Sequence, residues 1–200
     1  MNFKVELVTV TPNALDVIEK FGRLCYDSPT NKETQDRFIA DKIKKDHTSL
    51  LEHAAASFLI TGVSRCLTHQ AVRHRVGFSP TQESQRYVKA ENFDYVTPPT
   101  ILNNAELLSE YITLMSTIAA FYSKMLKANI PAEDARFVLP GATVTKIAVT
   151  MNFRALRHFI ELRADKHAQW EIRGVAKEML MILYKLYPCC FEDLVEKFEV

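Results

Sequence analysis

The stretch from Ser64 to Tyr87 concentrates side chains that bind phosphate groups well. It holds four arginines against one acid, Glu83, which gives a local formal charge of +3. The arginines are Arg65, Arg73, Arg75 and Arg86. Guanidinium groups present planar pairs of donors that match phosphate oxygens. The spacing therefore points to recognition of an anionic ligand.

A second interpretation of Arg73-His74-Arg75 is structural, because cations at a helix C-terminus each contribute ~0.3–1 kcal/mol through the helix dipole. The residues that follow favour a ligand instead, because they add donors with few carboxylates to satisfy them. These donors are Ser79, Thr81, Gln82, Ser84, Gln85, Arg86 and Tyr87.

The segment 152–172 also combines basic and polar residues on a predicted helix. Arg154 and His158 share one helical face, whereas Arg163 lies about half a turn away if the helix continues. Either the helix ends before Arg163, or its two faces serve different sites, as at a subunit interface. Arg157 and Glu161 are spaced as a solvated i,i+4 ion pair.

His47 and His53 lie close to Glu52, but their spacing of six residues does not place them on one helical face. The sequence therefore predicts buried or ligand-lining histidines here, and no metal site.

Composition limits the classes of protein to consider. The chain has 200 residues, 48% hydrophobic and 24% charged, which predicts one globular domain over 1–200. Its net charge of +1 gives no overall attraction to nucleic acid. The five glycines are too widely spaced for a phosphate-binding glycine loop, so side chains and helix ends must hold any nucleotide.

The cysteines and the lengths of the apolar runs indicate in which cellular compartment the protein works. The four cysteines form no C-x-x-C pair, which favours a reduced, cytoplasmic protein. No apolar run approaches the ~20 residues of a membrane span, and the N-terminus does not have the pattern of a signal peptide. We therefore expect no membrane partner.

Periodicity predicts the elements that position these residues. Strands are expected at 3–10, 54–63 and 142–151. Helices are expected at 14–26, through Phe38 and Ile43, from a Ser64 cap to Arg75, at 104–130, after Pro131, at 153–163 and at 167–187. Residues 77–80 should prevent the helix that starts at Ser64 from continuing, and 83–99 should be irregular. The class is α+β, helix-rich, with a small, mostly antiparallel sheet.

Several motifs, in order, give the chain a recognisable pattern. They are HTSLLEH, RHR followed by SQRY, LP before a strand, N-x-R, and RADKHAQWEI. On these motifs the chain resembles the flavin-dependent thymidylate synthases along nearly its whole length. The resemblance implies reductive methylation of dUMP, with methylenetetrahydrofolate as carbon donor, FAD as redox centre and NADPH as reductant. It also implies a homotetramer whose active sites are shared between subunits.

The resemblance implies a role for each matching residue. The cofactor-binding set is Ser49, Glu52, Arg73, His74, Arg75, Asn152, Arg154 and His158, the last standing where some relatives carry asparagine. The nucleotide-binding set is Gln70, Arg73, Gln82, Glu83, Ser84, Gln85, Arg86, Arg136 and Arg163. Arg136 is expected at the nucleotide phosphate and Arg163 against the uracil.

One departure from the family pattern lies between RHR and Ser84. The segment 76–83 is one residue longer than the signature allows. Because Ser84-Gln85-Arg86-Tyr87 keeps its order, we expect the extra residue to be absorbed at 77–80.

The chemistry of uracil supports a catalytic role for Arg163. Carbon 5 is a weak nucleophile, activated either by a thiolate adding at carbon 6 or by a cation that stabilises charge on N3 and O4. Cys66 is the one cysteine near a basic segment, and it lies inside a predicted helix. Arg163 suits the second route, so no covalent cysteine is expected.

Two alternatives remain at this level. The longer loop allows a pyrimidine-nucleotide hydroxymethylase that uses the same flavin and folate. A non-catalytic nucleic-acid binder would use the basic 64–87 stretch, but the neutral charge and the lack of an aromatic RNA-binding pattern argue against it.

Overall fold

A four-stranded antiparallel sheet forms the centre of the computed structural model, which describes residues 3–200. The first two residues of the predicted 1–200 domain lie outside the described part. The strand order is β1-β2-β4-β3. The strands are β1 Lys4–Val10, β2 Ala55–Ser64, β3 Phe78–Gln82 and β4 Val144–Asn152.

Nine α-helices are present in residues 3–200, together with 3-10 segments at Thr48–His53 and Arg136–Val138. The helices are α1 Ala14–Leu24, α2 Gln35–Lys44, α3 Arg65–Ala71, α4 Pro99–Leu102, α5 Ala105–Lys127, α6 Ala132–Ala135, α7 Phe153–Arg163, α8 Trp170–Leu186 and α9 Pro188–Phe198. The predicted helix-rich α+β class with a small antiparallel sheet is confirmed.

One face of the sheet is buried. Along β4, Ile147, Val149 and Met151 are buried while the residues between them are exposed, and Phe58 and Ile60 continue the same face on β2. This alternation follows from the two-residue period of a strand. Apolar residues of α7 and α8 cover that face and complete a continuous core. The sheet therefore fixes where α7 begins, directly after β4.

Polar side chains start the helices that matter for the site. Ser64, Asn104, Asn152 and Gln169 each accept a hydrogen bond from a backbone N–H in the first turn of the following helix. The predicted Ser64 cap is confirmed, and α7 has the bounds that the sequence predicts. Such caps satisfy donors that a helix cannot pair internally.

Four local predictions were wrong at their boundaries or in their type. The α3 helix ends at Ala71 rather than Arg75, and α8 begins at Trp170 because the side chain of Gln169 caps it. Residues 78–82 form a strand that the sequence analysis missed, and this strand tolerates Pro80 because it lies at the edge of the sheet. The α9 helix was not predicted.

Helical spacing predicts one core-facing apolar side for α5, and the structure shows that this prediction is partly wrong. The residues on that side are Leu107, Leu108, Tyr111, Leu114, Met115, Ile118, Phe121 and Met125. Met115 and Tyr122 are buried, but Leu107, Leu114 and Phe121 are about half exposed. Helical periodicity locates an apolar face but does not say whether the same chain covers it.

The predicted Arg157–Glu161 pair is also wrong. Arg157 is buried and makes a two-pronged ion pair with Asp193 on α9. Glu161 instead lies 3.5 Å from the Lys197 ammonium. Because α9 was not predicted, its carboxylate could not enter the sequence argument.

None of the helices described for residues 3–200 is long and apolar enough to cross a membrane.

Candidate active site

The short helix α3 carries candidate site residues at both of its ends. Arg65 is its first residue, and Arg73, His74 and Arg75 follow its last turn. The Ser64 hydroxyl accepts a hydrogen bond from the Leu67 N–H at 3.1 Å and so fixes the start of the helix. The position of α3 on the sheet therefore sets both groups of basic residues.

A buried carboxylate, Glu171, anchors the start of α3 and was missed by the sequence analysis. Its two oxygens accept from the Ser64 N–H at 2.7 Å and the Ser64 hydroxyl at 2.6 Å. Glu171 itself lies in the first turn of α8, where a negative charge is stabilised by the helix dipole. The sequence shows an acid at a helix start, but not the partner strand that it would meet.

The C-terminal end of α3 places His74 against α7. The Arg163 Nε donates a hydrogen bond to His74 Nε2 at 2.8 Å. The Phe159 ring centroid lies 4.9 Å from that of His74, and the His158 ring lies 6.2 Å away. His158 and Arg163 thus approach one imidazole, although they stand on different faces of α7, because the long arginine side chain reaches round the helix.

The environment of His74 favours its neutral form. Burial lowers the pKa of His74 from 6.5 to about 4, and the charges of Arg163 and His158 act in the same direction. A neutral imidazole that accepts at Nε2 carries its proton on Nδ1. His74 is therefore a hydrogen-bond acceptor toward Arg163 at neutral pH.

Gly77 lets the loop after His74 pass close to α7. It has a φ of 67°, and a Cβ there would lie 2.8 Å from the Ala155 Cβ. From Phe78 to Gln82 the pairing with β4 is regular, so no bulge interrupts β3. The left-handed residue of this loop comes immediately before the strand.

Three cations at this end have no carboxylate partner. Among residues 3–200, no Asp or Glu oxygen lies within 4.0 Å of the side-chain nitrogens of Arg73, Arg75 or Arg163. Arg73 and Arg75 are exposed. We call these three residues, with His74, the open end of α3.

At the N-terminal end of α3, three arginines bond to atoms of two glutamates. Arg65 Nη1 donates to the Glu83 carbonyl at 3.3 Å, and Arg136 Nε donates to the Glu133 carbonyl at 3.1 Å. Arg86 forms an ion pair with the Glu133 carboxylate at 2.8 Å. We call this group the glutamate end of α3.

Positive charge is concentrated at the glutamate end. Burial and the nearby charge of Arg136 lower the pKa of Arg65. The carboxylate of Glu83 acts in the opposite direction on the pKa of Arg65, although its ion-pair partner is Lys146 at 2.9 Å.

A cleft of about 630 Å³ runs along α3, from Arg65 at its first residue to Val72 just after its last. Arg65, Gln70 and Gln82 line it, and Gln82 donates to Thr68 Oγ1 at 2.8 Å. The thiol of Cys66 lines the same cleft. Two of the residues expected at the nucleotide therefore share one opening.

The other predicted residues lie around these two ends. Ser84 accepts from the Arg86 N–H at 3.2 Å, which fixes the turn after β3. Gln85 lines a separate, smaller cavity of about 290 Å³ together with Glu83. The structure does not bring Gln85 to the cleft lined by Gln70 and Gln82.

A third patch joins the 3-10 segment to the start of α7. Glu52 and Arg154 form an ion pair there, and Ser49 is exposed on the same 3-10 segment. Asn152 uses its side-chain oxygen to accept from the Ala155 N–H at 2.8 Å, which leaves its amide NH₂ as a donor.

The donor set at the open end fits a ligand that carries phosphate groups. Guanidinium groups without acids can neutralise a pyrophosphate, and the Asn152 amide can donate to a polar ring edge. Within residues 3–200 there is no group of three or more His, Cys, Asp or Glu side chains placed to hold a metal.

Comparison with known proteins decides the family. The family described as "Thymidylate synthase complementing protein" matches residues 6–189. The flavin-dependent thymidylate synthase of Nitratidesulfovibrio vulgaris is 40% identical, over 98% of this chain and 88% of its own length. The chain belongs to the flavin-dependent thymidylate synthase family.

Further members of the family agree. The flavin-dependent thymidylate synthase of Geobacter sulfurreducens is 40% identical over 95% of this chain and 86% of its own. A crystal structure of the UMP/dUMP methylase PolB from Streptomyces cacaoi, bound with 5-Br dUMP, superposes with a TM-score of 0.86 at 25% identity. That match covers 96% of this chain and 93% of the other.

Proposed function

We propose that this chain is a flavin-dependent thymidylate synthase that converts dUMP to dTMP. The observation that carries the proposal is Arg163, a cation with no carboxylate within 4.0 Å in residues 3–200, held by His74 at 2.8 Å. Family membership supports the same reaction class.

In this mechanism Arg163 is the catalytic residue. Its guanidinium lies against the uracil and stabilises the negative charge that develops across N3 and O4 as carbon 5 attacks the one-carbon unit. Arginine suits this role because its planar donors stay protonated at every physiological pH. Negative charge is thereby drawn toward the ring edge, and no thiol needs to add at carbon 6.

A flavin is the cofactor that family membership supports, and we propose that it is FAD. Arg73, His74 and Arg75 would hold its phosphates, and the remaining contacts would come from Ser49, Glu52, Asn152, Arg154 and His158. When bound, the flavin supplies the hydride, a step that protein side chains do not perform. Methylenetetrahydrofolate would donate the carbon and NADPH the electrons.

The nucleotide would bind through residues at and beside α3. Gln70 and Arg73 approach it from one subunit, and Gln82, Glu83, Ser84, Gln85 and Arg86 from a neighbouring subunit. Arg136 would hold the phosphate. Within one chain Gln85 lines a different cavity from Gln70 and Gln82, and binding across a subunit interface would let it reach a nucleotide held by another subunit.

We propose a homotetramer in which residues 1–200 act as a single domain in each subunit. The half-exposed Leu107, Leu114 and Phe121 on α5 and the exposed Phe137 supply apolar surface for such an assembly. The free cysteines support a location in the cytoplasm, where thiols stay reduced. Light scattering during gel filtration should report a mass four times that of the chain.

The absorption spectrum and the product together test the proposal. Purified protein should be yellow or should take up added FAD, and it should oxidise NADPH with methylenetetrahydrofolate only when dUMP is present. Mass analysis of the nucleotide should show an added methyl group. A product one oxygen heavier would mean a hydroxymethylase, and colourless protein that binds no FAD would contradict the proposal.

The thiol of Cys66 provides a second test, because it lines the same cleft as Gln70. The Cys66→Ser variant should retain turnover, and intact-protein mass spectra should show no nucleotide adduct with 5-fluoro-dUMP. A covalent adduct that Cys66→Ser abolishes would overturn the arginine mechanism.

A further inference from the structure

The contact between His74 and Arg163 joins two segments that lie 89 positions apart in the chain. The donor is the Nε of Arg163 and the acceptor is His74 Nε2, at 2.8 Å. The two terminal nitrogens of Arg163 make no hydrogen bond to other side chains among residues 3–200. The guanidinium of Arg163 is therefore held through its Nε, while its Nη1 and Nη2 atoms are free to donate to a ligand.

The imidazole of His74 is itself held by packing. Its ring lies against Phe159 of α7. The ring centroid of Phe78 on β3 lies 6.0 Å from the His74 centroid. These rings limit rotation of the imidazole about its side-chain torsions. An acceptor fixed in this way restricts the rotamers of a long and flexible arginine side chain.

We propose that His74 is a positioning residue that holds the Arg163 guanidinium through Nε2, so that both terminal nitrogens stay directed at the pyrimidine. The inference rests on the proposed function, in which Arg163 activates the uracil. It goes beyond a phosphate contact for His74, because it uses the nitrogen that faces α7.

The charges around His74 are consistent with an acceptor. Arg163 and His158 face it from α7, Arg73 and Arg75 flank it in the chain, and β3 contributes the uncharged Phe78. The groups that act on its titration are cationic, and burial acts in the same direction, so the neutral imidazole is the stable form near neutral pH.

Solid-state ¹⁵N NMR of histidine-labelled protein tests the geometry without any turnover. The chain has six histidines, and comparison with His74→Gln assigns the signal of interest. At pH 7 the His74 signals should show a protonated Nδ1 and an unprotonated Nε2, and Arg163→Ala should shift the Nε2 signal. A protonated Nε2 at pH 7 would overturn the proposal.

Kinetics of two complementary variants test the role. His74→Phe keeps a ring against Phe159 but removes the acceptor, whereas His74→Gln keeps an acceptor near the same place. With FAD uptake checked by absorbance, kcat should fall on the order of ten- to a hundredfold in His74→Phe, the scale of a small misplacement of a reacting group. His74→Gln should keep most of the wild-type kcat.

A double-mutant cycle separates positioning from a general structural effect. In the Arg163→Ala background, His74→Phe should cause little further loss of kcat, because the residue that it positions is already gone. Independent, multiplicative losses would overturn the proposal. If the wild type produced no dTMP, the proposed function would fail, while the NMR comparison would still decide whether His74 holds Arg163.

Discussion

The two ends of α3 are both basic but differ in what satisfies their charge. At the glutamate end, Arg86 is ion-paired with Glu133, and Arg65 donates to the Glu83 backbone. At the open end, Arg73 and Arg75 are exposed without a carboxylate within 4.0 Å in the described residues 3–200. Local charge alone, which the sequence shows, does not separate these two situations.

This difference indicates two kinds of binding site. An anion that meets the open end gains electrostatic interaction without displacing any protein carboxylate. An anion that meets the glutamate end must compete with Glu133 for Arg86. The contact between the anion and Arg86 is therefore weaker, and the anion dissociates from it at a lower free-energy cost. We therefore expect substitutions at the open end to affect the reaction step and those at the glutamate end to affect nucleotide affinity.

Replacement of Arg163 by alanine is the strongest test of the open end. Loss of one transition-state donor lowers kcat by about 10²-fold or more. Stopped-flow flavin reoxidation and dTMP formation would measure the loss. Arg37→Ala, an exposed arginine on α2, is the matched control and should leave turnover unchanged. Normal turnover by Arg163→Ala would remove the distinction between the two ends.

Arg157 sharpens the comparison, because it stands on α7 beside the open end yet is satisfied within the chain. Asp193→Ala leaves its buried guanidinium without the two-pronged partner. Loss of a charged hydrogen bond costs about 1.5–3 kcal/mol of unfolding free energy. Urea denaturation should show this loss. Asp193→Asn, which keeps one acceptor, should lose less, and equal stability of both variants with wild type would contradict the assignment.

Arg136→Ala tests the glutamate end. Loss of a charge-assisted hydrogen bond to phosphate costs about 1.5–3 kcal/mol, or roughly ten- to a hundredfold in dUMP affinity. Steady-state kinetics should show a higher KM for dUMP with a smaller change in kcat. The nucleoside deoxyuridine provides the control, since it lacks the phosphate and should bind both proteins equally. A fall in kcat at unchanged KM would place Arg136 with the open end.

Glu133→Gln should have a smaller effect of opposite sign. The Arg86–Glu133 pair is about half exposed, and exposed pairs contribute roughly 0–1 kcal/mol. Freeing Arg86 from the carboxylate should therefore lower the Kd for dUMP by less than about fivefold. Titration of dUMP by calorimetry measures it, with Asp134→Asn on the same helix as control. Weaker binding would mean that Glu133 holds Arg86 in place for the phosphate.

The pH dependence of stability tests the buried environment of His74. Because the pKa of His74 falls from 6.5 to about 4 on folding, the unfolded chain binds the proton first as the pH decreases. The unfolding free energy should thus decline between about pH 6.5 and about pH 4 more steeply in wild type than in His74→Gln. Denaturation at several pH values measures the difference. Parallel profiles would contradict a neutral, buried His74.

Prediction from sequence succeeded where local rules decide the outcome. Ser64 was identified as a helix cap, and α7 was placed at its observed bounds, because capping and helical periodicity are short-range. The strands β1 and β4 followed from apolar alternation. The basic residues around α3 were likewise visible as a local excess of charge.

Other features depended on partners distant in the chain. The buried Glu171 and the Arg157–Asp193 pair each join elements that no periodicity connects. The exposure of Leu114 depends on which surface remains uncovered after folding. The contact of His74 with Arg163 depends on how α3 and α7 pack, and their helical faces alone suggested separation.

The amino-acid sequence by itself determined the family, the order of most of the helices and strands, and the inventory of cations that can meet phosphate. Those properties follow from residue types and from spacings within one or two helical turns. Only the tertiary structure decided which cations keep a carboxylate and which stay open, because charge pairing depends on distances of a few ångströms between segments far apart in the chain. His74 illustrates this, because only the packing of α3 against α7 brings its imidazole within hydrogen-bond distance of Arg163.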